Sequence, residues 1–135
     1  MTVARGKLAA RPELSAGAGV EEGRDLILDE DHLVRMTLGD RALEREVLEI
    51  FVRQNTLMLG RIADAGPARL AEAAHTLSGS ARGIGAWRMA QAAERLERAS
   101  GEVGEQSLLG AIADLEVASH EAGAAIAARL ASIAD

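Results

Sequence analysis

From residue 70 onward the apolar positions settle into a helical rhythm. Leu70, Ala74, Leu77, Ala81 and Ile84 recur at intervals of four, three, four and three, the spacing of one buried helix face. Ala71, His75, Ser78 and Arg82 keep the same rhythm one residue further on, so they lie about 100° round the same cylinder. Proline is suited to a first helical position, and Gly83 and Gly85 around Ile84 are breakers, which predicts a helix from Pro67 to about Arg82. Upstream, Leu43, Val47, Ile50, Phe51, Met58 and Ile62 mark the inner face of a long helix. Asp40 can cap its start, and it stops near Ala65-Gly66-Pro67. Ahead of it, Asp29-Glu30-Asp31 places acids where a helix dipole favours them, opening a short helix through Leu33, Met36 and Thr37 that ends at Leu38-Gly39-Asp40. Downstream, a helix from Ala86 to Ser100 turns Met89, Ala93 and Leu96 inward and Arg88, Glu94, Arg95 and Arg98 outward. A polar loop spans 101–106. Ser107 then caps a last long helix whose Ile112, Leu115, Ser119, Ala122, Ile126 and Leu130 face inward. Each long helix has one apolar stripe to bury and the later connections are short. The expected fold is all-α, an antiparallel up-down four-helix bundle with a short additional N-terminal helix.

Composition agrees and narrows the function. Apolar residues make up 48% of the 135, charged residues 27%, and aromatics are nearly absent, a balance that favours helix over sheet. Residues 1–24, with Pro12, Gly6, Gly17, Gly19 and Gly23, read as a flexible N-terminal arm, leaving 25–135 as one bundle domain. The net charge of −6 argues against a nucleic-acid partner. There is no cysteine, hence no disulfide framework and no thiolate metal site. No stretch reaches the roughly 20 apolar residues of a membrane span. A soluble, cytoplasmic monomer is expected.

The chemistry centres on His75. A lone surface histidine ordinarily does nothing, but here it stands on the flank of a rigid helix among small or hydroxylic side chains. Gly79 sits in the helix interior, where glycine costs about 1 kcal/mol relative to alanine. Close approach of another protein would explain that glycine. A neutral imidazole nitrogen is a competent nucleophile toward an acyl phosphate. Other signals are weaker. His32 and His120 lie off the apolar stripes, read as plain surface residues, and lack the partners a metal needs. The glycine-rich run from Gly79 to Gly85 follows a helix rather than a strand and lacks the Gly-Lys-Ser/Thr ending of a phosphate loop. Ser78 beside His75 has no third orienting group. Trp87 is expected in the core or packing the hairpin. If the hairpin turns at Gly83 to Gly85, Glu94 and Glu97 fall level with His75. One of them can then orient the imidazole, although a solvated outer-face charge is the commoner fate of a glutamate.

These residues resemble the histidine-phosphotransfer (HPt) domains of bacterial phosphorelays. Their pattern stands here as Ala74-His75-Thr76-Leu77-Ser78-Gly79-Ser80-Ala81, then Ile84-Gly85-Ala86. Leu38-Gly39-Asp40 and Glu49-Ile50-Phe51-Val52 are similar to the family upstream, and Ala93-Glu94-Arg95-Leu96-Glu97 downstream, so the resemblance spans roughly Asp29 to Ala131. It implies that His75 carries a phosphoryl group between the aspartates of receiver domains, of a hybrid histidine kinase and of a response regulator. It implies no cofactor of the chain's own, with Mg²⁺ held by the partner receiver, and a phosphocarrier rather than an enzyme. One position departs from the pattern. The family's lysine, which steadies the phosphoryl group, is Ser78 here, and Arg82 on the same stripe is the substitute to consider, with Gly79 as clearance. Two rival functions stay open: a degenerate HPt-like bundle that sequesters a receiver without transfer, and a structural or dimerising bundle.

Overall fold

The computed structural model describes residues 26–101 and 105–134, so the arm expected over 1–24 lies outside the described residues. Among them the chain is helical throughout: α1 (Glu30–Met36), α2 (Arg41–Asp64), α3 (Pro67–Ile84), α4 (Trp87–Ala99) and α5 (Glu105–Ile133). Each long helix packs on two others. α2 touches α3 and α5, α4 touches α3 and α5, and α1 lies against α3. The ring so formed encloses a core of Leu48, Phe51, Leu70, Leu77, Met89, Leu96, Leu115 and Ile126.

The stripe of α3 is buried as its spacing requires, from Leu70 through Ala74, Leu77 and Ala81 to Ile84. α2 differs in part from its expected face. Leu43 and Ile50 are each 39% exposed, while Glu44, Leu48, Phe51 and Ile62 are buried. Phe51 and Ile62 are buried as expected and Val47 and Met58 pack against the core, so the departure is confined to Leu43 and Ile50, with Glu44 and Leu48 taking the inner positions beside them. The Glu44 carboxylate is held there by Arg129 of α5, whose Nη2 donates to Oε1 at 3.0 Å and whose Nε donates to Oε2. Two further bonds tie α2 to α5. Arg45 Nη2 donates to the Ile133 carbonyl at 3.0 Å, and Asn55 Nδ2 to Ser119 Oγ at 2.8 Å. Ser119 is buried, as its place on the α5 stripe requires.

Two helix ends also differ from expectation. Ser107 is inside α5, which begins at Glu105, rather than capping it. α3 continues past Arg82 and Gly83 to Ile84, and only Gly85 stops it. Gly85 has φ +83°, with its own N–H donating to Arg82 O at 3.2 Å and that of Ala86 to Ala81 O at 2.8 Å. This pair of bonds is the Schellman closure, which needs a residue free to take the left-handed region. Space selects glycine again, because a Cβ there would meet the Asp29 carbonyl oxygen at 3.0 Å and His32 Cδ2 at 3.2 Å.

Those neighbours belong to a latch between α1 and the α3–α4 turn. Asp29 caps α1, one carboxylate oxygen accepting from the His32 N–H at 3.0 Å and the other from Trp87 Nε1 at 2.8 Å. Asp29 N–H donates to Gly85 O at 2.8 Å. His32, expected as a plain surface residue, is half-buried. Its Nε2–H donates to the Gly83 carbonyl at 3.1 Å and its ring meets Trp87 edge-on, centroids 5.0 Å apart. Trp87 thus packs the hairpin, as expected, and also bolts α1 to it. Burial of the Asp29 carboxylate opposes ionisation, but the bonds from Trp87 and His32 and the charges of His32 and Arg35 outweigh it, so its pKa lies below the ordinary value. A depressed carboxylate contributes stability above its unfolded pKa of about 3.9 and loses it as pH falls through the folded value. Asp29→Asn should therefore melt below the parent protein at neutral pH, and the gap in melting temperature should narrow below about pH 4. A gap that stays constant down to pH 3 would show that the charge on Asp29 contributes nothing.

Candidate functional site

His75 lies in the middle of α3, one residue round from the buried stripe, and the side chain is 75% exposed. The rigidity comes from the stripe beneath it. Ala74 and Leu77 on either side are anchored in the core, which fixes the direction of the Cα–Cβ bond between them. α4 runs alongside on the flank, and its Glu97 meets the ring. The two Glu97 oxygens lie 3.1 Å and 3.3 Å from His75 Nδ1. An ionised carboxylate only accepts, so this contact assigns the ring proton to Nδ1 and leaves the Nε2 lone pair free in the neutral imidazole. Among the described residues nothing bonds to Nε2.

The other expected site residues are distributed unevenly. Of the two candidate carboxylates, Glu97 reaches the histidine, whereas Glu94 pairs with Arg82, so Glu94 does not orient the ring. Arg82 is on the histidine's face of α3, but its guanidinium is engaged by that carboxylate. Ser78 departs most from its expected place beside the phosphoryl group. It is only 4% exposed, and its hydroxyl donates to the His75 carbonyl at 2.8 Å. Serine on a helix readily bonds back to its own preceding turn, which removes it from the surface chemistry. Gly79 is exposed, and a Cβ added there would meet nothing within 4 Å. Inside the fold, then, glycine is not required at that position.

One signal for the Glu97 contact was present in the sequence. The two pairs nest around the Gly85-Ala86 turn, the residue nearer the turn on α3 meeting the one nearer the turn on α4. What the sequence reading missed is that both carboxylates are used, each by a different partner. It also missed His32, whose hydrogen bond supports the end of α3 below the site. Among the described residues no group of three or more His, Cys, Asp or Glu side chains could hold a metal ion. No described helix is long and apolar enough to cross a membrane.

The candidate site is thus one exposed histidine on the flank of a helix, backed by a carboxylate. The family model of the Hpt domain matches residues 46–134, and the chain belongs to that family. Hpt domains serve as phosphocarriers in phosphorelays, where they interact with receiver domains. No curated protein and no solved structure matches the chain.

Proposed function

We propose that this protein carries a phosphoryl group on His75, accepting it from the aspartate of one receiver domain and passing it to another. The donor receiver would belong to a hybrid histidine kinase and the acceptor to a response regulator. The observation that carries the reading is the exposed imidazole whose Nδ1–H is held by Glu97, with Nε2 outward. In the step, the Nε2 lone pair forms a bond to phosphorus as the bond from phosphorus to the aspartyl oxygen breaks, and the aspartate leaves as a carboxylate. The Nδ1 proton remains on the ring, and its bond to Glu97 strengthens as positive charge develops on the imidazole. Reversal of the same step delivers the group to the next aspartate.

In-line placement and charge neutralisation on the equatorial oxygens are what such a transfer demands. Mg²⁺ and the acceptor carboxylate are assigned to the receiver. Arg82 is the cation this chain can add, in place of the family's lysine. Docking falls to the surface around His75, where a missing Cβ at Gly79 leaves clearance. Beside it runs the groove between α2 and α3, whose walls include Leu57, Met58 and Thr76. The same reading takes the four long helices as an antiparallel up-and-down bundle, residues 25–135 as one domain, and the cytoplasm as its place.

Incubation with a phosphorylated receiver and Mg²⁺ should put acid-labile phosphate on the protein, and His75→Gln should abolish it. Label that persists in His75→Gln would remove the reading. Unlabelled parent protein that still binds the receiver would favour the sequestering bundle, and unlabelled protein that binds no receiver the structural one.

A further inference from the structure

Beside the His75–Glu97 hydrogen bond, the flank of α3 carries an ion pair between Arg82 and Glu94, and its position has a consequence for the phosphorylated state. On α3, His75 and Arg82 share one face two turns apart. On α4, Glu97 and Glu94 share one face a single turn apart, and each takes one of those residues. These two contacts therefore set two carboxylates and the Arg82 guanidinium along the seam, and that guanidinium is already engaged. A phosphoryl group on His75 brings a charge of roughly −1.5 to −2 at neutral pH. It would arrive beside Glu97 with no adjacent lysine, since Ser78 is buried and bonded to the His75 carbonyl.

We propose that Glu94 is a positioning residue that holds Arg82 in reserve while His75 is free and yields it to the phosphoryl group once His75 is loaded, so that the pair sets the phosphohistidine lifetime. This rests on the phosphocarrier reading and extends it to the regulation of the same site. Arg82 and Glu94 are about half and one-third exposed, and ion pairs so open to water are weakly held. A dianion offers the guanidinium a stronger, bidentate partner than a single carboxylate does. Two turns of helix separate the α-carbons by about 10.5 Å, a gap the long arginine and the extended phosphoimidazole close from both sides.

The effect on lifetime follows from the loose transition state of hydrolysis. Water forms a bond to phosphorus while the bond to Nε2 breaks, inorganic phosphate departs, and Nε2 regains its lone pair. In a loose, metaphosphate-like transition state the electrons of the breaking bond leave with Nε2 and the phosphoryl oxygens shed charge, so away from a receiver and its Mg²⁺ a lone cation on those oxygens favours the ground state and slows the loss. Glu94 competes for that cation and hence shortens the lifetime.

The full-length chain can be loaded with phosphoramidate, a small-molecule donor that needs no receiver, and the decay of phosphohistidine followed by ³¹P NMR. Glu94→Gln should lengthen the lifetime about two- to fivefold, the span of an exposed charge pair. Arg82→Ala should shorten it, Arg82→Lys should recover part, and Glu94→Gln with Arg82→Ala should decay like Arg82→Ala alone. Melting curves of these surface variants control for folding. An unchanged lifetime in Glu94→Gln overturns the proposal, as does a gain that survives loss of Arg82 or disappears instead with Arg98→Ala. The phosphocarrier reading fails on a different result, the inability of His75 to take phosphate from any receiver.

Discussion

Arg129→Ala should lower the free energy of unfolding by about 3–5 kcal/mol, the range for removing one partner of a buried ion pair. The Glu44 side chain is 2% exposed, and both of its carboxylate oxygens accept from Arg129. With Arg129 gone, the carboxylate is left inside the bundle without a partner. Glu44→Ala should cost less. The Arg129 side chain is 17% exposed and keeps Glu30 Oε1 at 3.5 Å, so its charge retains a partner near water. Replacing both, as Glu44→Leu with Arg129→Met, should be nearly neutral or stabilising by about 1–4 kcal/mol, because desolvation of two charges is avoided. Urea unfolding of the four proteins gives the comparison, with the linear slope checked for constancy. A loss below about 1 kcal/mol in Arg129→Ala, the level of an exposed pair, would mean that water reaches Glu44. The pair would then not be what holds Glu44 inward.

That ion pair also explains where reading the sequence succeeded and where it stopped. α3 was legible because its stripe is local: each of the five apolar positions has a neighbour three or four residues away on the same face, and all five are buried. The same holds for the Asp40 cap, whose Oδ1 accepts from the Leu43 N–H three residues on, at 3.1 Å. On α2, Phe51 and Ile62 are buried as their spacing predicts, but Leu43 and Ile50 are not, because the inner face also contains a glutamate. No local pattern marks a carboxylate as buried when its partner is 85 residues away. His32 was missed for the same reason, since its acceptor is Gly83, 51 residues on. Ser78 failed differently. A stripe adjacent to the buried one is exposed only if no neighbouring helix covers it, and α3 packs against both α2 and α4. Ala90, Ala92, Ala93 and Ala99 are all buried, so α4 has more than one apolar face in use. Small residues let helices approach closely, and the result is a wider buried arc than hydrophobic periodicity alone announces. At the candidate site, the exposure of His75 and the reach of Glu97 to its ring agree with the expected hairpin, whereas Glu94 meets Arg82 instead. The division of the two carboxylates between His75 and Arg82 was settled only by the register of the hairpin.

Glu97→Ala should slow phosphoryl uptake by His75, by about the 10- to 100-fold that loss of a carboxylate partner costs a metal-bound histidine. The argument is tautomeric. In the parent protein the carboxylate accepts from Nδ1–H at 3.1 Å, which keeps the lone pair on the outward Nε2. Without it the proton partitions between both nitrogens, the ring rotates more freely about its 75% exposed side chain, and the developing positive charge has no anion beside it. Glu97→Gln separates these contributions. The amide oxygen still accepts from Nδ1–H, so orientation returns while the charge does not, and the rate should fall between those of Glu97→Ala and the parent. ¹⁵N NMR of the labelled ring reports the tautomer directly, and stopped-time phosphorylation from a loaded receiver reports the rate. The two should move together across the three proteins, with His75→Gln as the floor. A shift of the tautomer in Glu97→Ala with no change in rate would mean that docking, not the state of the ring, limits transfer. Equal rates and equal ring spectra would remove Glu97 from the site altogether.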